Sequence, residues 1–281
     1  MLLVNPASGD GRGDRAALVG QARKRGIAVK VLQPGQRLAA LVEEAVADGA
    51  DALGIAGGDG SLAVVATAAH EHDIPFVCIP AGTRNHFALD LGIDRRDLIG
   101  SLDAFTEGVE RRIDVGQVNK RLFLNNVSLG VYADAVHEPG YRDAEARTLL
   151  ATAHRVLGPS GVAPELHVRD DRGHEHRNPA VVLVSNNPYA LDRPVAQGTR
   201  PSLDGGTLGV IVLDRAAAGE APGRAWTATS LDLYTADAAR AGIDGEAVEL
   251  SPPLECMIRP GGLRVRISAR HPGVSPSGAL P

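Results

Sequence analysis

Apolar positions in the first hundred residues alternate between two periods. Short, mainly apolar runs at 2–5, 27–32, 52–56 and 75–79 read as strands. Between them the spacing turns helical. Helices are predicted over 14–25 through Ala17, Leu18 and Ala22, over 38–47 through Leu38, Leu41, Val42 and Ala45, and over 62–70. Strands alternating with helices predict a parallel sheet covered on both faces. Ligands of such sheets bind beyond the carboxyl ends of the strands. Three polar, glycine-bearing turns fall there, at 5–13, 57–61 and 80–85, and are expected to converge on one crevice.

After about Ile113 the pattern changes. Short runs at 113–118, 122–127, 165–168, 180–185, 208–213, 247–250 and 254–258 dominate, several with period two, separated by Gly, Asp and Pro. That predicts an antiparallel β domain. Helical stretches are predicted at 144–157 and 225–234. Residues 268–281 are rich in Pro, Ser and Gly and are predicted to be a disordered tail. The expected organisation is an α/β nucleotide-binding domain over 1–115, a β-rich domain over 116–267, and the tail.

Composition narrows the class. The chain has 281 residues, 44% hydrophobic and 22% charged, enough for one large or two medium globular domains. No run approaches 18 apolar residues, so no transmembrane helix is expected. The first residues lack the basic and long apolar regions of a signal peptide. Cys78 and Cys256 sit in apolar runs and read as buried free thiols in a reducing cytoplasm. A net charge of −5 argues against nucleic acid as a partner and against strong electrostatic attachment to an anionic membrane. Met1 lies almost inside the first strand, which reads either as a short strand or as a start placed downstream of the true one.

The most informative turn is Gly57-Gly58-Asp59-Gly60-Ser61, between a strand and a helix. Glycines allow close backbone approach to a ligand and positive φ, and the N–H groups of a new helix favour an anion. A carboxylate there would repel phosphate unless a cation such as Mg²⁺ sits between them. The alternative is a plain turn with Asp59 or Ser61 as helix cap. Asn5-Pro6-Ala7-Ser8-Gly9 ends the first strand, with Asn5 and Ser8 as neutral phosphate donors. Pro80-Ala81-Gly82-Thr83-Arg84-Asn85 ends the fourth in the same manner. Near the C-terminus, Asp244-Gly245-Glu246 offers two carboxylates, although Asp-Gly is equally a type I′ hairpin turn.

Taken in order, these segments resemble the diacylglycerol kinase catalytic-domain family, which includes bacterial lipid kinases and the sphingosine kinases. The family is distantly related to NAD kinases and phosphofructokinases. Further matches are Phe87-Ala88, Leu91-Gly92, Ile113-Asp114-Val115-Gly116, Phe123-Leu124-Asn125-Asn126 with Gly130, and Ile258-Arg259-Pro260-Gly261 with Leu263. One glycine turn is a weak signal; the ordered set over about residues 2–267 is a strong one. The resemblance implies an α/β nucleotide-binding domain, a β-sandwich-like domain and an active site in the cleft between them. It implies transfer of the ATP γ-phosphoryl group to a hydroxyl, chemistry that needs positioning and charge neutralisation. By position, Asn5, Pro6, Ser8, Gly9, Gly57, Gly58, Gly60, Ser61, Gly82, Thr83 and Asn85 would form the ATP site. Asp59 and Asp114 would hold Mg²⁺, and Asp244 or Glu246 would orient or deprotonate the acceptor. A lipid acceptor, a cytoplasmic protein with transient peripheral contact at the inner membrane, and a homodimer are all compatible with that reading.

The chain departs from the family pattern in four places. Ser61 stands for the usual Thr and Val64 for the usual Glu three residues on. His86 replaces the usual Asp after Asn85. Gly205-Gly206-Thr207-Leu208-Gly209 replaces an Asp-Gly-x-x-Asp segment, although Asp204 is adjacent, so the structural metal site of some bacterial members is not expected. Asp10 stands where a basic residue is usual, with Arg12 nearby. These changes leave three readings: a lipid kinase, a kinase of a soluble hydroxyl substrate resembling NAD kinase, and a non-catalytic nucleotide-binding homologue. Other candidates have plainer explanations. His174 and His176 form a His-x-His pair but in a charged hairpin. His137 and Tyr141 lie where the family's acceptor side begins, and the 144–157 stretch borders the lipid entrance in relatives; a loop role accounts for the first two, and core packing of an amphipathic helix accounts for the spacing of the third without lipid.

Overall fold

The computed structural model describes residues 1–8, 14–130, 165–191, 198–214 and 223–278. Gly9, His137, Tyr141 and the 144–157 stretch lie outside the described residues. The chain divides into two compact units. The first is Met1–Ile113 with Pro201–Asp204 and Gly261–Pro281; the second is Asp114–Arg200 with Gly205–Pro260. Three stretches therefore build the first unit, where the sequence suggested only one.

In the first unit, strands β1 (Leu2–Val4), β2 (Val29–Val31), β3 (Leu53–Gly57) and β4 (Phe76–Pro80) alternate with helices α1 (Asp14–Lys24), α2 (Leu38–Ala47) and α3 (Asp59–Glu71). The sheet order is β2-β1-β3-β4, all parallel, with Leu2 opposite Val29 and Gly54, and Leu53 opposite Phe76. The chain's last strand, Leu254–Ser268, adds its C-terminal part beside β4, with Val265 opposite Phe76. β3 and β4 are buried throughout, which is why they read as unbroken apolar runs. Two short helical segments escaped the periodicity: α4 (His86–Asp90) and a 3₁₀ segment, Gly100–Phe105. Neither is long enough to establish a repeat. Helix α3 starts at Asp59 rather than Leu62, because its first turn is polar and glycine-bearing.

Residues 268–278 are ordered into this unit rather than forming the expected tail. Ser275 and Ser277 are buried, and Arg111 donates to Gly273 O at 2.7 Å and Leu91 O at 3.0 Å. The composition mimics disorder, but the backbone polar groups find partners, as in Gly273 N–H to Gly92 O at 3.1 Å.

The second unit begins on strand β5 (Gly108–Val118) and continues through β6 (Arg121–Phe123), β7 (Asn126–Gly130), β8 (His167–Asp170) and β9 (Glu175–Arg177). It ends with β10 (Val181–Asn186), β11 (Leu208–Leu213), β12 (Gly223–Ala228), β13 (Ser230–Tyr234), β14 (Ala239–Ile243), β15 (Glu246–Leu250) and the N-terminal part of β16 (Leu254–Ser268). An antiparallel sheet runs β12-β11-β10-β7-β14-β15. A second antiparallel set runs from β16 through β13 and β8 to β9. Both contribute to one core, Val127, Val184 and Val210 from the first, Val168, Leu231 and Cys256 from the second. The helix predicted at 225–234 is a correction: these residues form β12 and β13. Ala225 and Thr227 alternate with Trp226 and Ala228 and pair with β11, so pairing overrode the helical character of alanine.

Candidate active site

The three turns of the first unit meet as expected. β1, β3 and β4 are neighbours, so their carboxyl ends lie side by side. Asn5 Nδ2 donates to Ser61 Oγ at 2.9 Å, joining the first turn to the second. A Cβ on Gly82 would lie 2.5 Å from Gly58 Cα, so the second and third turns touch backbone to backbone. Gly57 has no room either: its Cβ would lie 2.8 Å from Ser61 Cβ. None of Gly57, Gly58, Gly60 or Gly82 adopts positive φ. Close approach, not left-handed backbone, is what selects glycine here.

Gly58 is the N-cap of α3, with φ −88 and ψ 175, so neither Asp59 nor Ser61 caps the helix. Ser61 and Leu62 N–H already donate to Gly58 O at 2.9 and 3.0 Å. The N–H groups of Asp59 and Gly60 precede the first intrahelical bond and are the ones placed for an anion. Asp59 Oδ1 accepts Phe87 N–H at a long 3.5 Å and is half-buried. Below it, burial pushes the Cys78 thiol well above the ordinary thiol range, and the Asp59 charge adds to that shift. Thr83 and Pro6 are exposed, and Ser8 is half-buried. Asn85 has a different task. In the left-handed region at φ 52, its Nδ2 donates to Pro80 O at 3.1 Å and Gly82 O at 2.7 Å, while Oδ1 accepts Gly82 N–H at 2.9 Å. Its amide closes the third turn. Arg15, unmarked in the sequence, donates to Pro6 O and Ser8 O and ties the first turn to α1.

In the second unit, Asp244 and Gly245 occupy the hairpin between β14 and β15 with φ +50 and +82, the type I′ geometry. The turn is also a clamp. The buried Asp244 carboxylate accepts Leu124 N–H at 2.8 Å, Asn125 N–H at 2.7 Å and Asn126 N–H at 3.1 Å. Glu246, two residues on, is exposed. Asp114 is buried, and its Oδ2 accepts Gly206 N–H at 2.7 Å and Asn187 Nδ2–H at 3.2 Å. The same Asn187 accepts Gly205 N–H at 2.9 Å, so the glycine segment that departs from the family pattern folds onto Asp114. Sequence reasoning missed Arg200, a fully buried arginine in this network. The Gly-Thr-Arg-Pro context carries no signal for it.

The residues of the first unit fit a nucleotide phosphate: backbone N–H groups at the start of α3 and neutral side-chain donors at Asn5, Ser8 and Thr83. Among the described residues no group of three or more His, Cys, Asp or Glu is assembled to hold a metal. Mg²⁺ is bound by one or two carboxylates together with substrate phosphates, which suits Asp59. His174 and His176 serve the hairpin instead. His174 Nδ1 is 3.0 Å from Asp170 Oδ2, and His176 stacks on Trp226 at 4.5 Å. No helix among the described residues is long and apolar enough to cross a membrane.

Residues 1–118 match the family described as the diacylglycerol kinase catalytic domain. A diacylglycerol kinase of Mycobacterium tuberculosis is 33% identical over 120 residues, covering 41% of this chain and 39% of that relative. One of Bacillus subtilis is 42% identical over 77 residues, covering 27% of this chain and 25% of the relative. The chain thus matches about two fifths or less of the length of these relatives. A crystal structure from Bacillus anthracis described as a diacylglycerol kinase superposes with a TM-score of 0.71 over 96% of each chain, at 20% identity. That likeness extends the shared fold beyond residue 118.

Proposed function

We propose, from the match of residues 1–118 to the diacylglycerol kinase catalytic domain, that the protein is an ATP-dependent lipid kinase. It would transfer the γ-phosphoryl group to a lipid hydroxyl. The observation that carries this reading is the meeting of three turns in the first unit, through Asn5–Ser61 and the Gly58–Gly82 approach. Backbone N–H groups of Asp59 and Gly60, with Asn5, Ser8 and Thr83, hold the phosphates in place. Pro6 shapes the first turn. Mg²⁺, when bound, would supply charge neutralisation for the phosphates, and Asp59 is the carboxylate of the first unit that would hold it. Asn85 sets the third turn and contacts nucleotide only through Gly82 and Thr83.

On the acceptor side the two carboxylates divide the work. Asp244 has its lone pairs engaged by three backbone N–H groups. Glu246 is the exposed one, and it orients the acceptor hydroxyl and takes its proton as the bond to phosphorus forms. The test offers ATP and Mg²⁺ with diacylglycerol vesicles, NAD and simple sugars in parallel. Transfer to lipid alone supports the reading. Transfer only to a soluble hydroxyl, or ATP binding without any transfer, overturns it.

A further inference from the structure

Arg200 is the largest fully buried side chain among the described residues. Taking a guanidinium out of water is unfavourable, so its partners decide whether it is held. Nη1 donates to Leu124 O at 2.6 Å and Asn186 O at 2.8 Å, and Nη2 donates to Asn125 Oδ1 at 2.9 Å. The Arg200 guanidinium also lies 5.9 Å from the centre of the Tyr189 ring. Tyr189 Oη accepts Asn126 Nδ2–H at 2.9 Å. Every one of these contacts returns to residues 124–126 or their immediate support.

That segment is the one whose N–H groups Asp244 holds. The carboxylate grips it by its donors, and the guanidinium grips it by its acceptors. Asn186 extends the grip. Its Nδ2 donates to Leu124 O at 3.2 Å and Asp114 O at 2.9 Å, and its N–H donates to Asn125 O at 3.0 Å. Resting on the kinase reading above, we propose that Arg200 is a positioning residue of the phosphoryl transfer. It fixes the 124–126 segment, and through it the Asp244-Gly245-Glu246 turn and the Asp114 backbone. Its planar fork is what matters, because one ammonium cannot reproduce three donors in fixed directions.

The experiment compares wild type with Arg200→Lys and Arg200→Met, reading kcat and KM for ATP and for diacylglycerol. Amide hydrogen exchange at residues 124–126 is read in the same proteins. Arg200→Lys is expected to remain folded, to lose about tenfold to a hundredfold in kcat with KM for ATP unchanged, and to lose protection at 124–126. Its loss should be non-additive with that of Asp244→Asn, since both hold one segment. Wild-type kcat in Arg200→Lys, or unchanged exchange at 124–126 in both variants, overturns the proposal. An uncoupled sum of the two single losses does the same. Should the wild type phosphorylate no lipid, the kinase reading fails, and the exchange data then decide the positioning by themselves: retained protection at 124–126 overturns it.

Discussion

Two carboxylates separated by one glycine sit in opposite surroundings. Asp244 is buried under three N–H donors, whereas Glu246 opens β15 in an exposed position. Local sequence gave no basis to choose between them, since the partners of Asp244 lie about 120 residues away along the chain. The difference makes a clean prediction. Asp244→Asn removes the charge from those bonds and turns an amide toward backbone donors. It should lower stability by about 3 kcal/mol, read as a drop in the urea midpoint. Glu246→Gln should leave that midpoint unchanged and reduce kcat by a factor of about a hundred or more. Asn85, read from the sequence as a nucleotide contact, closes its own turn through its side-chain amide, a role set by its left-handed φ, which sequence alone does not display.

Among the elements, the β1, β3 and β4 turns were legible because each follows a buried parallel strand and must end at the ligand-bearing edge. What periodicity could not supply was the close approach of Gly58 and Gly82 between two of them. Gly82→Ala places a methyl 2.5 Å from Gly58 Cα and 2.9 Å from Asn85 Oδ1, so the turns must separate. Overpacking of this kind costs about 1–3 kcal/mol. Nucleotide affinity, measured by calorimetry, should fall by about tenfold or more, while Gly35→Ala is no control because Gly35 itself needs positive φ. A control at Gly20, where a Cβ meets nothing within 4 Å, should bind as wild type does. The 225–234 stretch failed in the other direction. Its alanines favour a helix in isolation, and only pairing with β11 and β16 reveals the two strands.

For the whole molecule, both fold classes were visible from the change of period near Ile113. The return of residues 201–204 and 261–281 to the first unit was not, because chain order does not report which unit a late segment joins. That returning segment brings Arg264 and Arg266 to Glu110, at 2.7 and 2.9 Å. Hydrogen bonds from Arg264 and then Arg266 hold the Glu110 carboxyl below the usual glutamate range. A lowered folded value means the contribution is fully present above the unfolded pKa of about 4.3 and is lost as pH falls through the folded value. Glu110→Gln should therefore narrow the stability gap between pH 7 and pH 3, measured by urea unfolding. Burial raises the Cys256 thiol to about 12, so neither it nor Cys78 should react with a thiol reagent until the chain unfolds. The central claim, that the cradle around Asp59 delivers a phosphoryl group to a lipid hydroxyl, is tested most directly by one comparison. Wild type and Asp59→Asn are incubated with γ-labelled ATP, Mg²⁺ and diacylglycerol vesicles, and labelled lipid is counted. Label in lipid with wild type, and its loss in a folded Asp59→Asn protein, is the predicted result. No labelled lipid from wild type, or equal labelling by the variant, would contradict the account.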